Sequence, residues 1–461
     1  MFVNYSMPLK APTAQKIPHK TQTHKTKRLD NYHWMRLSDK QKESKKKDEQ
    51  TKDVLSYINK ENAYTLSVLK STEKLQNKLF KEIIGRIKKD DEEIPYKYNG
   101  YWYITKLRKG KEYPIYYRKK GSMKAKPELL LDVNKLAKGH DYFDLRFSGL
   151  NISLDNNILV YALDTSGRRN YDLIFINLKT GKILKDRISK TDGNGVWAND
   201  NNTLFYIKND PITLLGDKVF KHRIGTKTTK DLLVYEELDK SFYMGIWKSK
   251  SGKFIIIGQG STLANDYHIL NANDPNGVFT NFTKRLKKHK YEIDHVDNHF
   301  IIRTEMHSKN RSIMQADEQK TDRKYWTNII APRKTVYIQN FEAFTGHLVL
   351  TEKKKDKISI RVIDRKTMHS HNIVFDEDAY TTGVSYYNFD PNTSNLRYYY
   401  ESLTTPTCHF NYNMDKRTRK LLKQEPVLGG YKAVDYKSER IYATSRDGQK
   451  IPISLVYNKK V

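Results

Sequence analysis

The sequence predicts a mainly β chain built around a seven-bladed β-propeller, with an N-terminal helical segment and, at its far end, the opening hairpin of a further domain. Three observations predict this. A polar turn followed by a short apolar strand recurs with a period of about 45 to 57 residues. A stretch ahead of the repeats has helical periodicity instead. The last segment reads as a lone hairpin, and a lone hairpin is marginal in water.

The recurring strands are Tyr101–Tyr103, Ile158–Tyr161, Leu204–Tyr206, Phe254–Ile257, Phe300–Ile302, Leu348–Leu350 and Leu396–Tyr398. Similar turns precede several of them, as in Ser153–Asn157, Asn199–Thr203, Ser249–Lys253 and Asp390–Asn395. A second hairpin follows each copy. The clearest is Tyr171–Leu184, where Tyr171, Leu173 and Phe175 alternate with Asp172, Ile174 and Ile176, and Thr180-Gly181 makes the turn. Two hairpins per copy give four short antiparallel strands, which at this period describe a propeller blade. A single blade cannot cover both of its faces, whereas blades stacked in a ring cover one another and leave only short edges. The copies between about Leu79 and Glu425 predict seven blades. A β-sandwich array is the alternative, with less regular spacing expected. The Gly-His and Trp-Asp marks of WD40 repeats are absent.

Ahead of the repeats, Asp53 to Leu79 places Val54, Leu55, Ile58, Tyr64, Leu66, Leu69, Leu75 and Leu79 at helical spacing, without Gly or Pro. At the other end, Tyr431 to Tyr457 reads as a strand, an Asp447-Gly448 turn and a second strand, the strongest short-range hairpin signal. The expected domains are residues 1–78, an arm and helix; 79–425, the propeller; and 426–461, the hairpin. A closed ring brings its two ends together, so both flanks are expected to belong to one second domain into which the propeller is inserted.

Composition narrows the function classes. No run approaches the ~18 to 20 apolar residues of a membrane span, and no signal-peptide pattern opens the chain, although Met7 offers an alternative start. The one cysteine, Cys408, excludes an internal disulfide and a cysteine-rich metal site. These features fit a cytoplasmic protein. The net charge of +31 raises the question of nucleic acid or acidic lipid. The lysines are scattered through every segment, and the densest run, Lys40 to Lys52, is interrupted by Glu43, Asp48 and Glu49. The charge therefore reads as a solvated lysine-rich surface, and neither membrane nor nucleic acid is the expected partner.

Particular residues then carry a resemblance. They begin with His24, Arg28, Asp30, Tyr32, Trp34 and Arg36, followed by Tyr57, Glu61–Tyr64, Glu82, Arg86-Ile87, Asp90 and Pro95-Tyr96. Tyr101–Tyr103, Gly110-Lys111, Tyr113-Pro114 and Arg118–Gly121 continue it. Ser402–Pro406, Ser438–Arg440, Asp447-Gly448 and Ile451–Ser454 close it. In this order the chain resembles the N-terminal portion of the prolyl oligopeptidase family of serine peptidases, most of all its oligopeptidase B branch. Lys25 departs from the Gly usual after the first His, and Met35 from the usual Leu.

The resemblance implies a propeller capping an α/β-hydrolase domain, with the hairpin as the first strands of that domain, here incomplete. It also implies a propeller that limits access to short peptides, with Arg or Lys before the cut. The family's Ser, Asp and His would all follow the last residue of this chain, which is therefore expected to be inactive alone and to need a hydrolase domain or complementary fragment as partner. A non-enzymatic scaffold propeller, with a basic surface for nucleic acid, is the competing reading.

The residues themselves assign no catalytic, metal or cofactor site. A G-x-S-x-G elbow, a His-Glu-x-x-His motif and a phosphate loop are all missing. The nearest string, Gly258–Thr262, reads as a turn. His268, His295, His299 and His307 are scattered, while His369 and His371 are two apart and would share a strand face, as a metal pair or a solvated turn. Cys408 reads as a packed small residue. Gly167-Arg168-Arg169 lies in a connection where guanidinium groups could meet a partner domain or an acidic peptide end, or simply be solvated.

Overall fold

The computed structural model describes residues 9–148 and 151–460, so Met7 lies outside the described residues. The chain divides into two compact units, residues 1–87 and 88–461.

The first unit opens with a hairpin, His19–Thr23 paired with Thr26–Asp30. Its turn residues His24 and Lys25 have φ of 49° and 66°. Lys25 thus takes the left-handed conformation that a Gly adopts without strain. The expected helix is two helices, Glu49–Leu69 and Glu73–Gly85, on either side of the tight turn Lys70–Thr72. Asp48 caps the first by accepting the Thr51 N–H at 2.8 Å. Trp34 is anchored at both ends. Its indole donates to the Gln15 carbonyl at 2.9 Å, and its own carbonyl accepts from Gln50 at 2.7 Å.

The second unit is an antiparallel β-propeller, but the expectation of seven separate four-stranded blades is overturned. Strand pairing gives five separate blades, one of five strands within residues 91–132 and four of four strands within 243–281, 291–330, 336–372 and 380–424. The remaining strands, within 144–236, form one continuous seven-stranded sheet. The cause is the strand Ile183–Trp197, whose 15 residues pair first with Tyr171–Asn177 and then with Thr203–Asn209. An irregularity between Thr191 and Gly195, with Lys190 and Gly193 at φ of 64° and 89°, redirects this strand without ending it. The C-terminal hairpin forms as expected, Tyr436–Thr444 with Lys450–Asn458. Among the described residues its strands pair only with each other, and it groups with the propeller in the second unit.

Each recurring apolar triplet is a strand, and its residues are apolar in succession because both faces are buried. Ile255 and Ile257 pack with Phe205, Ile207 and Val219 of the seven-stranded sheet. Phe254 and Ile256 point the other way, against Phe300, Ile302 and Met314 of the next sheet. Ile301 in turn joins Leu348 and Leu350, and Val349 joins Leu396 and Tyr398. Alternate side chains of one strand thus serve two neighbouring cores.

Polar contacts between turns follow the same circuit. Asn99 Nδ2 donates to the Leu154 carbonyl at 2.7 Å, and Asn199 Nδ2 to that of Gly252 at 3.2 Å. The Ser251 N–H donates to the His295 carbonyl at 3.0 Å, Arg365 to Asp297 at 2.8 Å and the Thr345 N–H to the Pro391 carbonyl at 2.8 Å. The ring closes between the last and first sheets. There Lys423 pairs with Asp91 at 2.5 Å, Arg397 donates to the Pro95 carbonyl at 2.7 Å, and Tyr387 stacks on Tyr96 at 4.6 Å. Burial alone would raise the Asp91 carboxyl, but hydrogen bonds from Lys423 and Lys88 outweigh it and bring the pKa down to about 2.

The seven-stranded sheet contains a buried ion triad. The His222 ring is fully enclosed, with Nδ1 2.7 Å from Asp231 and Nε2 3.0 Å from Asp186. Burial opposes its charge, yet the two carboxylates together hold its pKa above the ordinary value. When protonated, the ring donates to both. A raised histidine contributes stability that is fully present below its unfolded pKa and is lost as pH rises through the folded one. His222→Leu should cost about 3–5 kcal/mol, because it leaves two buried carboxylates without their shared cation, keeping only the Gly225 N–H on Asp186 and the Tyr206 hydroxyl on Asp231. In thermal unfolding across pH, the gap between wild type and variant should be widest in mild acid and narrow as pH rises past neutrality. A gap that widens toward alkaline pH would show the ring to be neutral.

Candidate functional face of the propeller

The hairpin docks onto the propeller through two carboxylates. Glu377 lies in the connection between the strands Ser370–Asn372 and Tyr380–Val384. It accepts hydrogen bonds from Ser402 at 2.6 Å, Thr404 at 2.6 Å, Thr405 at 2.8 Å, Tyr400 at 3.0 Å and the hairpin residue Ser438 at 2.8 Å. Burial pushes this carboxyl up, but the hydroxyl donors outweigh that and bring its pKa down to about 2. Asp356, in the turn after His347–Lys354, forms an ion pair with Arg440 and accepts from the Tyr442 hydroxyl at 3.2 Å. The Tyr431 hydroxyl donates to the Thr404 carbonyl.

Docking leaves one side of the hairpin uncovered. Ile441, Ile451 and Ile453, which share the face opposite Ser438, Arg440 and Tyr442, are 36–49% exposed. The outer edges of both strands are also unpaired among the described residues. An apolar face flanked by open strand edges is suited to receiving another sheet.

A second charged cluster lies between sheets. Arg285 reaches Asp266 at 3.0 Å and forks onto Glu237, with its guanidinium 4.1 Å over the Phe242 ring. Burial would lower the Arg285 pKa, but the two carboxylates more than reverse this and raise it. His268 lies beside this cluster, 4.5 Å from the Tyr235 ring, and burial pushes its pKa down.

The residues singled out from sequence fall mostly into structural roles. Ser261 of the Gly258–Thr262 string closes a turn, accepting the Ala264 N–H at 3.1 Å. His295 is buried against Ser251 at 2.8 Å and Glu318 at 3.3 Å. His299 lies in the strand His299–Thr304, and His307 is exposed in a loop. His369 lies in the turn before Ser370–Asn372, whereas His371 is in that strand and meets the Tyr412 hydroxyl at 2.8 Å. They do not converge, and no group of metal-ligating side chains occurs among the described residues. Cys408 is buried at a strand start, and burial raises its thiol pKa. The Gly167–Arg169 loop is organised from within by Asp164, which accepts from Ser166 N at 2.8 Å and Arg169 N at 2.7 Å. No helix among the described residues is long and apolar enough to cross a membrane.

Sequence reasoning marked Ser402, Thr404, Thr405 and Ser438 but missed the carboxylate that joins them. Only the acidic run Asp376-Glu377-Asp378 hinted at it. His222 and Arg285 were missed altogether, because their partners lie on other strands and connections.

Comparison with known proteins adds what geometry alone does not. Residues 12–425 match the family description "Prolyl oligopeptidase, N-terminal beta-propeller domain". The chain is 39% identical to dipeptidyl aminopeptidase BI of Pseudoxanthomonas mexicana, over 98% of this chain and 63% of that protein. It is 26% identical to protease 2 of Moraxella lacunata, over 97% and 63%. Among solved structures, oligopeptidase B from Leishmania major superposes with a TM-score of 0.86 at 25% identity, covering 98% of this chain and 65% of that one. The chain thus spans just under two thirds of the length of these relatives.

The Glu377 contacts predict a local effect. Glu377→Gln should release the hairpin and leave the propeller folded. Amide hydrogen exchange within 436–458 should accelerate roughly tenfold, as for the loss of about 1.4 kcal/mol, while exchange in 254–257 is unchanged. A depressed carboxyl contributes above its unfolded pKa and loses that contribution as pH falls through the folded one. Wild-type hairpin protection should therefore hold at neutral pH and fall away only as pH drops from the ordinary glutamate range toward 2. Unchanged hairpin protection in the variant would remove Glu377 from this role.

Proposed function

Because the chain belongs to the prolyl oligopeptidase family of peptidases, we propose that it forms the N-terminal and propeller portion of an oligopeptidase B-like serine peptidase of the cytoplasm. In this reading the ring restricts entry to short peptides, and an α/β-hydrolase domain docked against the uncovered hairpin cuts them after Arg or Lys. The observation that carries it is the hairpin, fastened to the propeller by Glu377 and Asp356 yet leaving Ile441, Ile451 and Ile453 exposed on its other face. Such a patch, bordered by unpaired strands, favours association with a complementary sheet.

The reaction requires a serine activated by a positioned base and an oxyanion hole. The 461 residues contain no G-x-S-x-G elbow to present that serine. The catalytic groups are therefore assigned to a hydrolase portion outside these residues, and the role of this chain is to position and select.

The purified 461-residue chain should neither cleave Arg- or Lys-containing fluorogenic peptides nor label with a serine-directed fluorophosphonate. Co-expression with the hydrolase portion of a family member should yield a complex, and Ile441→Asp should weaken it. Peptidase activity lost on mutation of one of the chain's own serines would overturn the assignment.

A further inference from the structure

Lys250 lies in the turn between the strands Tyr243–Lys248 and Phe254–Gly260, and it joins three successive sheets. Its N–H donates to Asp294 in the next sheet at 2.9 Å, and its ammonium pairs with Glu342 in the sheet after that. The ammonium also lies 3.6 Å from the centre of the Phe344 ring. The Lys250 side chain is only 5% exposed, and Asp294 and Glu342 are partly buried. This link sits at the end of the ring away from the hairpin. Phe344 is in the turn between the first two strands of its sheet, whereas Asp356, which holds the hairpin, is in the turn between the second and third. In an antiparallel sheet those two turns lie at opposite ends.

The charges of this link do not balance. Lys250 and Glu342 cancel, but Asp294 is in no ion pair among the described residues. Two carboxylates therefore share one ammonium, and a net charge held inside protein is costly. Burial pushes both carboxyls above their ordinary range, and at Glu342 the charge of Asp294 adds to it against the opposing pull of Lys250. The surrounding charges are already engaged. Glu292 pairs with Arg303, Lys253 with Glu318 at 2.6 Å and Asp297 with Arg365 at 2.8 Å. His295 meets Ser251 at 2.8 Å and Glu318 at 3.3 Å, and burial keeps its pKa below the ordinary value. Lys248 donates to Asn199 at 2.7 Å, and burial lowers its pKa to about 8.

We propose that Lys250, Asp294 and Glu342 form a proton-sensitive brace at the end of the ring opposite the hairpin. In mild acid one of the two carboxyls keeps its proton, so one carboxylate faces one ammonium and the three sheets are held together without net charge. As pH rises the second carboxyl ionises, and the uncompensated charge loosens the brace. A carboxyl with a raised folded pKa binds its proton more tightly in the folded state. The stability that this proton brings is lost as pH rises from the ordinary carboxylate range through the folded value.

The test is amide hydrogen exchange on the full 461-residue chain from about pH 5 to about pH 8, corrected for the intrinsic pH dependence of exchange. Protection of the turns 249–253 and 344–346 should fall about tenfold or more as pH rises, the equivalent of one pKa unit. Protection of 300–302 should stay constant. Asp294→Asn leaves one carboxylate for one ammonium and should remove the pH dependence, keeping both turns protected at the upper pH. Glu342→Gln also leaves a single carboxylate and should flatten the profile. A thermal melt establishes that each variant is folded, and either one suffices if the other is not. Lys248→Met should keep the wild-type profile. Flat protection in the wild type would overturn the proposal, as would a pH dependence that persists in a folded Asp294→Asn or Glu342→Gln chain. Loss of the pH dependence in Lys248→Met would assign the titration to Lys248 and overturn it equally.

Discussion

The propeller holds together because every apolar strand is buried on both faces, each face against a different sheet. Ile255 and Ile257 on one side and Phe254 and Ile256 on the other join one blade to both of its neighbours. Removing a sheet would expose two cores, so ring closure is a condition for burying the rest. Strand exchange does not provide that closure. The first and last sheets are each built from consecutive strands, and the seam is held by side chains: an ion pair from Lys423, a guanidinium bond from Arg397 and the stack of Tyr96 on Tyr387.

The same constraint shapes the functional surfaces. A seam closed by side chains leaves a cavity of about 1020 Å³ between the two sheets, walled by Trp102, Tyr387 and Phe389. The hairpin, which cannot extend any blade, is instead fastened by carboxylates. Five hydroxyls converge on Glu377, and Arg440 and Tyr442 meet at Asp356. Polar docking of this kind leaves the apolar side of the hairpin free, which is how one element can belong to the propeller unit and still expose an apolar surface.

Much of the architecture was legible in the order of residues. The apolar triplets, the Thr180-Gly181 and Asp447-Gly448 turns, the helical run from Asp53 and the family resemblance are local signals, carried by neighbours in sequence. The blade count was not legible. Strand spacing alone does not reveal whether a chain ends one sheet before it begins the next, and at Ile183–Trp197 it does not end. The helix estimate missed the break at Lys70–Thr72 for a related reason, since nothing in a run without Gly or Pro marks a tightened turn.

By itself, then, the sequence determined the β-repeat, the helical start, the closing hairpin and the kinship to a peptidase family, because each depends on periodicity or on motifs read in order. Only the tertiary structure decided which charges meet. Glu377 finds Ser438 across 61 positions, and Lys423 finds Asp91 across 332. The His222 pKa is held above its ordinary value only because Asp186 and Asp231 arrive from other segments to offset its burial. Long-range electrostatics depends on distance and burial in the folded ring, and neither quantity is written in the local pattern of residues.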